Sequence, residues 1–207
     1  MGLENNANSG IKFVSVTNGR LTIRVPEGTE GAVKRELTAG ANKGKLVSEL
    51  QYGKLTGMIT KVAFEEKKFG EFIAITVTDD GINYLLQIPW NSGIKTSILT
   101  RLPNVDYSKS VTFSAFSDKT KEKPTNVLLI YQDNELVKTA YSKDAPNGMP
   151  EAKQTKVRGV SKWDFSEVEE FLYGVLVEQI EAVKVLNPDA VEAEVQPDAE
   201  VKSKLDD

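Results

Sequence analysis

The residues of this chain that could take part in chemistry are mainly lysines and aromatic rings, because its 207 residues include no cysteine and no histidine. That composition excludes disulfides, thiolate nucleophiles, Cys/His zinc sites and imidazole bases. The acidic pairs Glu65-Glu66 and Asp79-Asp80 are poorly placed to share a metal, since adjacent strand residues point to opposite faces and Asp79-Asp80-Gly81 is a turn signal. We expect no catalysis, no metal and no cofactor.

Basic residues cluster where the sequence predicts turns between strands. Lys67-Lys68-Phe69 forms one such turn, and a later loop contains Lys119, Lys121 and Lys123. Lysines attract phosphates, and aromatic rings offer bases a stacking surface that does not depend on base identity. A lysine taken alone is usually just solvated, so the clustering carries the prediction. The predicted DNA-binding residues are Lys67, Lys68, Phe69, Phe72, Trp90, Phe116, Lys119, Lys121, Lys123, Tyr131, Lys34 and Arg35.

Alternation along the strands indicates which rings are exposed. Ile73, Ile75 and Val77 share one face of a predicted strand and are assigned to the core, which leaves Phe72 on the other, smaller and more polar face. The same rule assigns Tyr84 and Phe113 to the core. For Trp90, Phe116 and Tyr131, partial burial in the core is an equally open interpretation.

The charge of the chain is divided between a basic body and an acidic end. Residues 1–162 carry 23 Lys/Arg and 17 Asp/Glu, a net charge of +6, whereas residues 163–207 carry 3 and 13, a net charge of −10. An acidic, disordered tail can occupy a basic groove, dock onto other proteins, or simply keep the protein soluble. The predicted partner-binding residues of this tail are Asp198, Glu200, Leu205, Asp206 and Asp207.

A three-stranded meander, residues 52–90, is the strongest structural prediction. Its strands are expected at residues 55–64, 72–77 and 82–88, with Asp79-Asp80-Gly81 as a hairpin turn. An N-terminal hairpin is expected around Asn18-Gly19, an irregular basic segment at 27–45, a helix from Ser92 to Leu102, and further strands at 110–116 and 127–131. Residues 142–160 have the composition of a linker. A final amphipathic helix is predicted to begin with a capping box formed by Ser166 and Glu169.

The order of three strands, a helix and two strands is that of the OB-fold, a five-stranded Greek-key barrel. A small β-sandwich or jelly roll is the alternative. We predict a mainly β protein with four parts: a disordered leader at residues 1–10, an OB-fold domain with basic loops at 11–160, a C-terminal helix at 161–187 and a disordered acidic tail at 188–207. The N-terminus has no signal-peptide pattern and no apolar run reaches membrane-spanning length, which favours the cytoplasm.

In layout the chain resembles bacteriophage single-stranded DNA-binding proteins. The resemblance lies in residues 55–57 through 69–71, Leu102-Pro103-Asn104-Val105-Asp106, Gly148-Met149-Pro150 and Trp163-Asp164-Phe165, followed by the acidic tail. It implies a protein of the host cytoplasm that coats single strands without sequence specificity during replication and recombination. It further implies an acidic tail that recruits replication proteins. Many such tails end in an aromatic residue, whereas here Leu205 is the apolar residue near the end.

A second class of protein stays open from sequence alone. A phage virion structural or assembly protein could combine a β-sandwich body with an oligomerising helix. The apolar stripe of the C-terminal helix fits packing either on its own body or on a second subunit. Such a protein would have no salt-sensitive affinity for DNA.

We predict that deleting residues 188–207 tightens binding to single-stranded DNA, because the removed carboxylates compete with phosphates for the same cations. Fluorescence polarisation of a labelled oligo-dT, with the full chain and the truncated chain at the same salt concentration, measures the difference. Equal affinities would mean that the tail does not compete for the DNA-binding surface.

Overall fold

The computed structural model describes residues 10–38, 42–120, 124–157 and 160–188, and it is mainly β, as predicted. The predicted leader and acidic tail lie outside these residues. Ten strands form one sheet, and two further strands form a separate hairpin. The strands are β1 (Lys12–Thr17), β2 (Arg20–Val25), β3 (Val33–Glu36), β4 (Leu46–Tyr52), β5 (Lys54–Lys67), β6 (Gly70–Asp79), β7 (Ile82–Pro89), β8 (Val111–Asp118), β9 (Thr125–Gln132), β10 (Glu135–Leu136), β11 (Lys153–Val157) and β12 (Val160–Asp164). The helices are α1 (Gly93–Leu99), a short 3-10 turn (Leu102–Asn104) and α2 (Ser166–Leu186).

The sheet is open, with β10 and β3 at its edges and the order β10-β9-β8-β5-β6-β7-β1-β2-β4-β3. The 14-residue strand β5 pairs with a different strand on each of its two edges. Its first residues, Lys54 to Gly57, pair with β8, and Met58 to Lys67 pair with β6. A register shift between Ile59 and Lys61 bends β5 near this change of partner. The predicted meander is confirmed as β5, β6 and β7, which are all antiparallel.

The core lies on one face of the sheet. Ile73, Ile75 and Val77 are fully buried, as their alternation predicts, and Phe113 is also fully buried. The prediction that Tyr84 belongs to the core holds only in part, because its ring is half-buried beneath the Lys12 ammonium group.

Both helices pack against the sheet. The Ser97 hydroxyl of α1 donates to the Leu128 carbonyl, which places this helix along the edge of β9. Helix α2 packs against β5 through a stripe that includes the buried residues Leu172, Leu176 and Val183. The apolar stripe of α2 therefore packs on its own chain. In the part of the chain that the structure describes, no helix is long and apolar enough to span a membrane.

The start of α2 differs from the predicted capping box. Ser166 is already helical, and both its backbone amide and its hydroxyl donate to the Asp164 carboxylate, at 3.0 and 2.6 Å. These hydrogen bonds lower the pKa of Asp164. The Glu169 carboxylate accepts instead from Lys95 of α1, at 2.9 Å. An ion pair with a buried ammonium group thus replaces the predicted contact with the helix start.

Two segments predicted to be irregular contain strands. Within the basic segment 27–45, β3 pairs with β4 from Val33–Glu49 to Glu36–Leu46. Within the predicted linker 142–160, β11 begins a hairpin with β12, so the expected boundary between residues 160 and 161 falls inside β12. Both segments are polar and short, so they have no apolar alternation that would predict a strand. Their strand conformation comes from backbone pairing with a neighbouring strand.

The turn between β1 and β2 closes onto the far part of the sheet. Asn18 and Gly19 both have positive φ, as the Asn-Gly signal predicts, and the Gly19 amide donates to the Asn126 side chain of β9 at 2.8 Å. A Cβ added to Gly19 would lie 2.3 Å from the Ser117 backbone nitrogen of β8. A glycine is therefore needed here both for its conformation and for the close approach of two backbones.

We expect Gly19→Ala to destabilise the protein more than Gly81→Ala. Both glycines have similar φ, +72° and +76°, but an added Cβ at Gly81 would meet nothing within 4 Å. Gly81→Ala therefore costs about 1 kcal/mol of left-handed strain, and Gly19→Ala adds a backbone clash. Urea unfolding of the two variants isolates the clash, and equal losses would show that the hairpin tip does not press on β8.

Candidate nucleic-acid interface

The face of the sheet opposite the core, here called the outer face, runs across β5, β6, β7, β1 and β2. Ala74, Leu85 and Thr22 on this face are buried, whereas Phe13, Lys61 and Arg24 are exposed. Its residues are mostly small or uncharged, and neighbouring strands bring them side by side in the pairs Lys61–Thr76, Ala63–Ala74, Ala74–Gln87, Thr76–Leu85, Leu85–Phe13 and Ser15–Thr22. The Ser15 and Thr22 hydroxyls are 2.9 Å apart and share a hydrogen bond. Two adjoining grooves of about 600 and 270 Å³ run over this face.

Phe13 is the exposed ring of the larger groove. It is the second residue of β1, beside Leu85 of β7, and 57% of the residue is exposed to solvent. Its neighbour Val14 points to the core and is 3% exposed. The pairing of β1 with β7 fixes the backbone of Phe13, and a preorganised backbone lowers the entropic cost of stacking a planar ligand on the ring.

Arg24 lines the same groove, and among the described residues it has no carboxylate within ion-pair distance. It lies opposite Glu49 of β4, but Glu49 is 1% exposed and accepts two hydrogen bonds from Arg35, at 2.9 and 2.7 Å. The same hydrogen bonds raise the pKa of Arg35 above its usual value. This part of the outer face contains two guanidinium groups, Arg24 and Arg35, but one carboxylate, Glu49. It therefore carries a net positive charge.

The turn between β5 and β6 provides less positive charge than its two lysines suggest. Lys67 forms an ion pair with Glu65 at 2.7 Å, and its Nζ lies 5.8 Å from the centre of the Phe72 ring. Glu66 and Glu71 lie opposite each other just before and after the turn.

Rings and lysines of this turn differ in how accessible they are. Phe72 is half-buried on the outer face, while Phe69 at the tip is 82% exposed with the Lys68 ammonium group 6.0 Å from its ring centre. The turn thus offers an exposed ring, with a local charge close to neutral.

The other basic loop lies at the opposite end of β5. Phe116 is 44% exposed on β8, and Tyr131 of β9 is half-buried opposite Thr112. Tyr131 lines a groove of about 680 Å³ together with Lys54. Lys119 is exposed, whereas Lys121 and Lys123 lie outside the described residues. The sequence prediction combined both basic turns in one groove, but the two turns flank the sheet at opposite ends of its longest strand.

Trp90 is half-buried and packs against the core and against α2. Its ring makes edge-to-face contacts with Phe64 and with Tyr173 of α2, with ring centres 5.4 and 6.0 Å apart. The ammonium group of Lys95 lies 4.4 Å from the centre of the Trp90 ring. The prediction that Trp90 is a stacking platform therefore conflicts with its position, because α2 covers it.

The remaining predicted residues are not brought to the outer-face grooves. Lys34 forms an ion pair with Glu27, both on the exposed surface. Asp198, Glu200, Leu205, Asp206 and Asp207 lie outside the described residues.

Sequence reasoning missed two residues of the larger groove, Phe13 and Arg24. For Phe13 the signal was present: Val14 and Val16 alternate with Phe13 and Ser15 along β1, which assigns the ring to the face away from the core. For Arg24 no local signal existed, since its lack of a partner depends on the Arg35–Glu49 pair.

We predict that Glu169→Gln destabilises the protein more than Lys95→Met. The Lys95 side chain is 6% exposed and the Glu169 side chain 50% exposed. Glu169→Gln keeps an oxygen that can accept from Lys95 but removes the negative charge, which leaves a buried ammonium group without its ionic partner at a cost of about 1–3 kcal/mol. Removing the ammonium group leaves a hydrated carboxylate. Chemical unfolding of both variants measures the asymmetry, and an equal or reversed order would contradict it.

The outer face offers binding groups: an exposed ring, hydroxyl and amide side chains, and the cations Arg24 and Lys61. Among the described residues, no cluster of three or more acidic side chains could hold a metal ion. Compared with known proteins, the chain matches no family model, no curated protein and no solved structure.

Proposed function

We propose that the protein binds single-stranded DNA with little sequence preference, and that the outer face is the binding surface. The observation that carries this proposal is the Phe13 ring of β1, 57% exposed and sharing a groove with the Arg24 guanidinium group, which has no ion-pair partner among the described residues. Stacking on a ring and attraction of phosphates are the two interactions that sequence-independent binding of single strands requires.

The polarity of the face favours nucleic acid over a protein partner. Ser15, Thr22, Thr76 and Gln87 place hydroxyl and amide groups around the grooves. These side chains hydrogen-bond to phosphate and base edges alike. Protein interfaces bury a more apolar centre, whereas around Phe13 the apolar residues Ile11 and Ile23 are interspersed with Ser15, Arg24 and Gln87.

We further propose that β5 to β9, together with α1, form an OB-type unit. Four antiparallel pairs support this: β5–β6, β6–β7, β5–β8 and β8–β9, with α1 between the third and fourth of these strands. In a closed barrel of this type, β7 would lie beside β9. Here β1 lies parallel to β7 instead, and α1 covers the edge of β9. The N-terminal hairpin thus extends the sheet at the position where a closed barrel would pair its third and fifth strands.

The biological setting follows from the layout of the chain. We propose a protein that coats single strands in phage replication or recombination. Its acidic tail would regulate binding or recruit replication proteins. The virion-protein alternative relies on α2 as an oligomerising helix. Because the apolar stripe of α2 packs on β5, no specific observation favours that alternative.

A polarisation titration with labelled oligo-dT at two salt concentrations tests the proposal. We expect binding that weakens as salt rises, with a slope of about 0.7 in logarithmic units for each phosphate contacted. Phe13→Leu should cost about 1–3 kcal/mol of binding free energy, because stacking is lost while apolar cover of Leu85 is kept. Arg24→Gln should lower the salt slope by about 0.7.

Lys184→Gln is the matched control for charge. It removes one positive charge from α2, where Lys184 already pairs with Glu181, and it should leave both affinity and slope unchanged. The proposal fails if neither the full chain nor a chain without residues 188–207 binds at low salt. It also fails if binding occurs but Phe13→Leu, Arg24→Gln and Lys184→Gln behave alike.

A further inference from the structure

The β11–β12 hairpin stands apart from the ten-stranded sheet and exposes an aromatic ring. Its five residue pairs run from Lys153–Asp164 to Val157–Val160, with no strand of the main sheet hydrogen-bonded to it. Trp163 lies opposite Gln154 and is 61% exposed. A two-stranded hairpin is marginally stable alone, and burial of its largest ring would normally help to hold it. In this hairpin the ring is presented to solvent.

The charges of the hairpin are positive and partly unpaired. Lys153 pairs with Glu167 of α2, and Asp164 accepts from Ser166. Lys156 and Lys162 have no carboxylate within ion-pair distance among the described residues. The pairing register places Lys156 and Trp163 on one face, as diagonal neighbours across the two strands, and Lys162 on the opposite face of the hairpin, next to Trp163 in the chain.

We propose that this hairpin is a second contact for the same single strand, with Trp163 stacking on a base and Lys156 and Lys162 attracting phosphates. The inference rests on the proposed function but uses residues outside the outer face. Lysine at an edge strand also discourages aggregation, but that role does not need an exposed tryptophan. Protein interfaces are poor in lysine, whereas a ring beside ammonium groups is the pattern of single-strand recognition.

Tryptophan fluorescence gives a direct readout of this contact. The chain has two tryptophans, and Trp90 is packed under α2, so quenching by a base stacked on the protein should come from Trp163. The probe is an oligo-dT of about 30 nucleotides, longer than the site of a single binding module. We expect oligo-dT to quench the wild-type protein, and we expect Trp163→Phe to bind with similar affinity but without that quenching.

Affinity and salt dependence complete the test. Trp163→Ala should weaken binding roughly 5- to 100-fold, and the double variant Lys156→Gln/Lys162→Gln should lower the salt slope by about 1.4. The control Lys138→Gln/Lys143→Gln removes two exposed lysines elsewhere and should leave the slope unchanged.

The outcomes separate this inference from the proposed function. If the wild-type protein binds and responds to Phe13→Leu, but Trp163→Ala binds normally and Trp163→Phe is still quenched, the hairpin is not a contact and only this inference fails. If the wild-type protein does not bind oligo-dT, the proposed function fails and this inference fails with it.

Discussion

The structure depends on one strand that serves two partners. β5 pairs with β8 through its first residues and with β6 through the rest, and the irregularity between Ile59 and Lys61 bends it between the two. Without this double pairing, the meander and the β8–β9 hairpin would be separate sheets. α2 packs against the same strand, so the core, the outer face and the packing of Trp90 all follow from its path. The two basic turns lie far apart because this strand separates them.

Local rules were sufficient for the turns and the faces of the central strands. Asn18-Gly19 and Asp80-Gly81 adopt the positive φ values that their residue types predict. Strict alternation assigned the β6 side chains to their faces, since a paired strand has no other way to orient them. The same rule, applied to β1, would have identified Phe13. Much of the sheet and half of the candidate site were therefore accessible from the sequence.

The remainder depends on contacts between distant residues. Trp90 looks like an exposed ring after a strand, but Tyr173 of α2 covers it. Arg24 is uncompensated only because Arg35 takes both oxygens of Glu49. The polar strands β3, β11 and β12 have little apolar pattern of their own, and strand pairing determines their conformation. Sequence patterns indicate the conformation that a segment prefers in isolation. The burial of Trp90, the free charge of Arg24 and the strands β3, β11 and β12 depend instead on contacts with distant segments.

The parallel pairing of β1 with β7 affects the order in which the chain can assemble. The β1–β2 hairpin precedes the meander in the chain, yet Lys12 pairs beside Tyr84 and Val14 beside Leu86. Until the meander has been synthesised, the apolar side of this hairpin, including Val14 and Leu21, has nothing to cover it. Pairing between segments so far apart in sequence is slow to form. The β1 strand can therefore pair with β7 only after residues 84–86 have been synthesised and have left the ribosome.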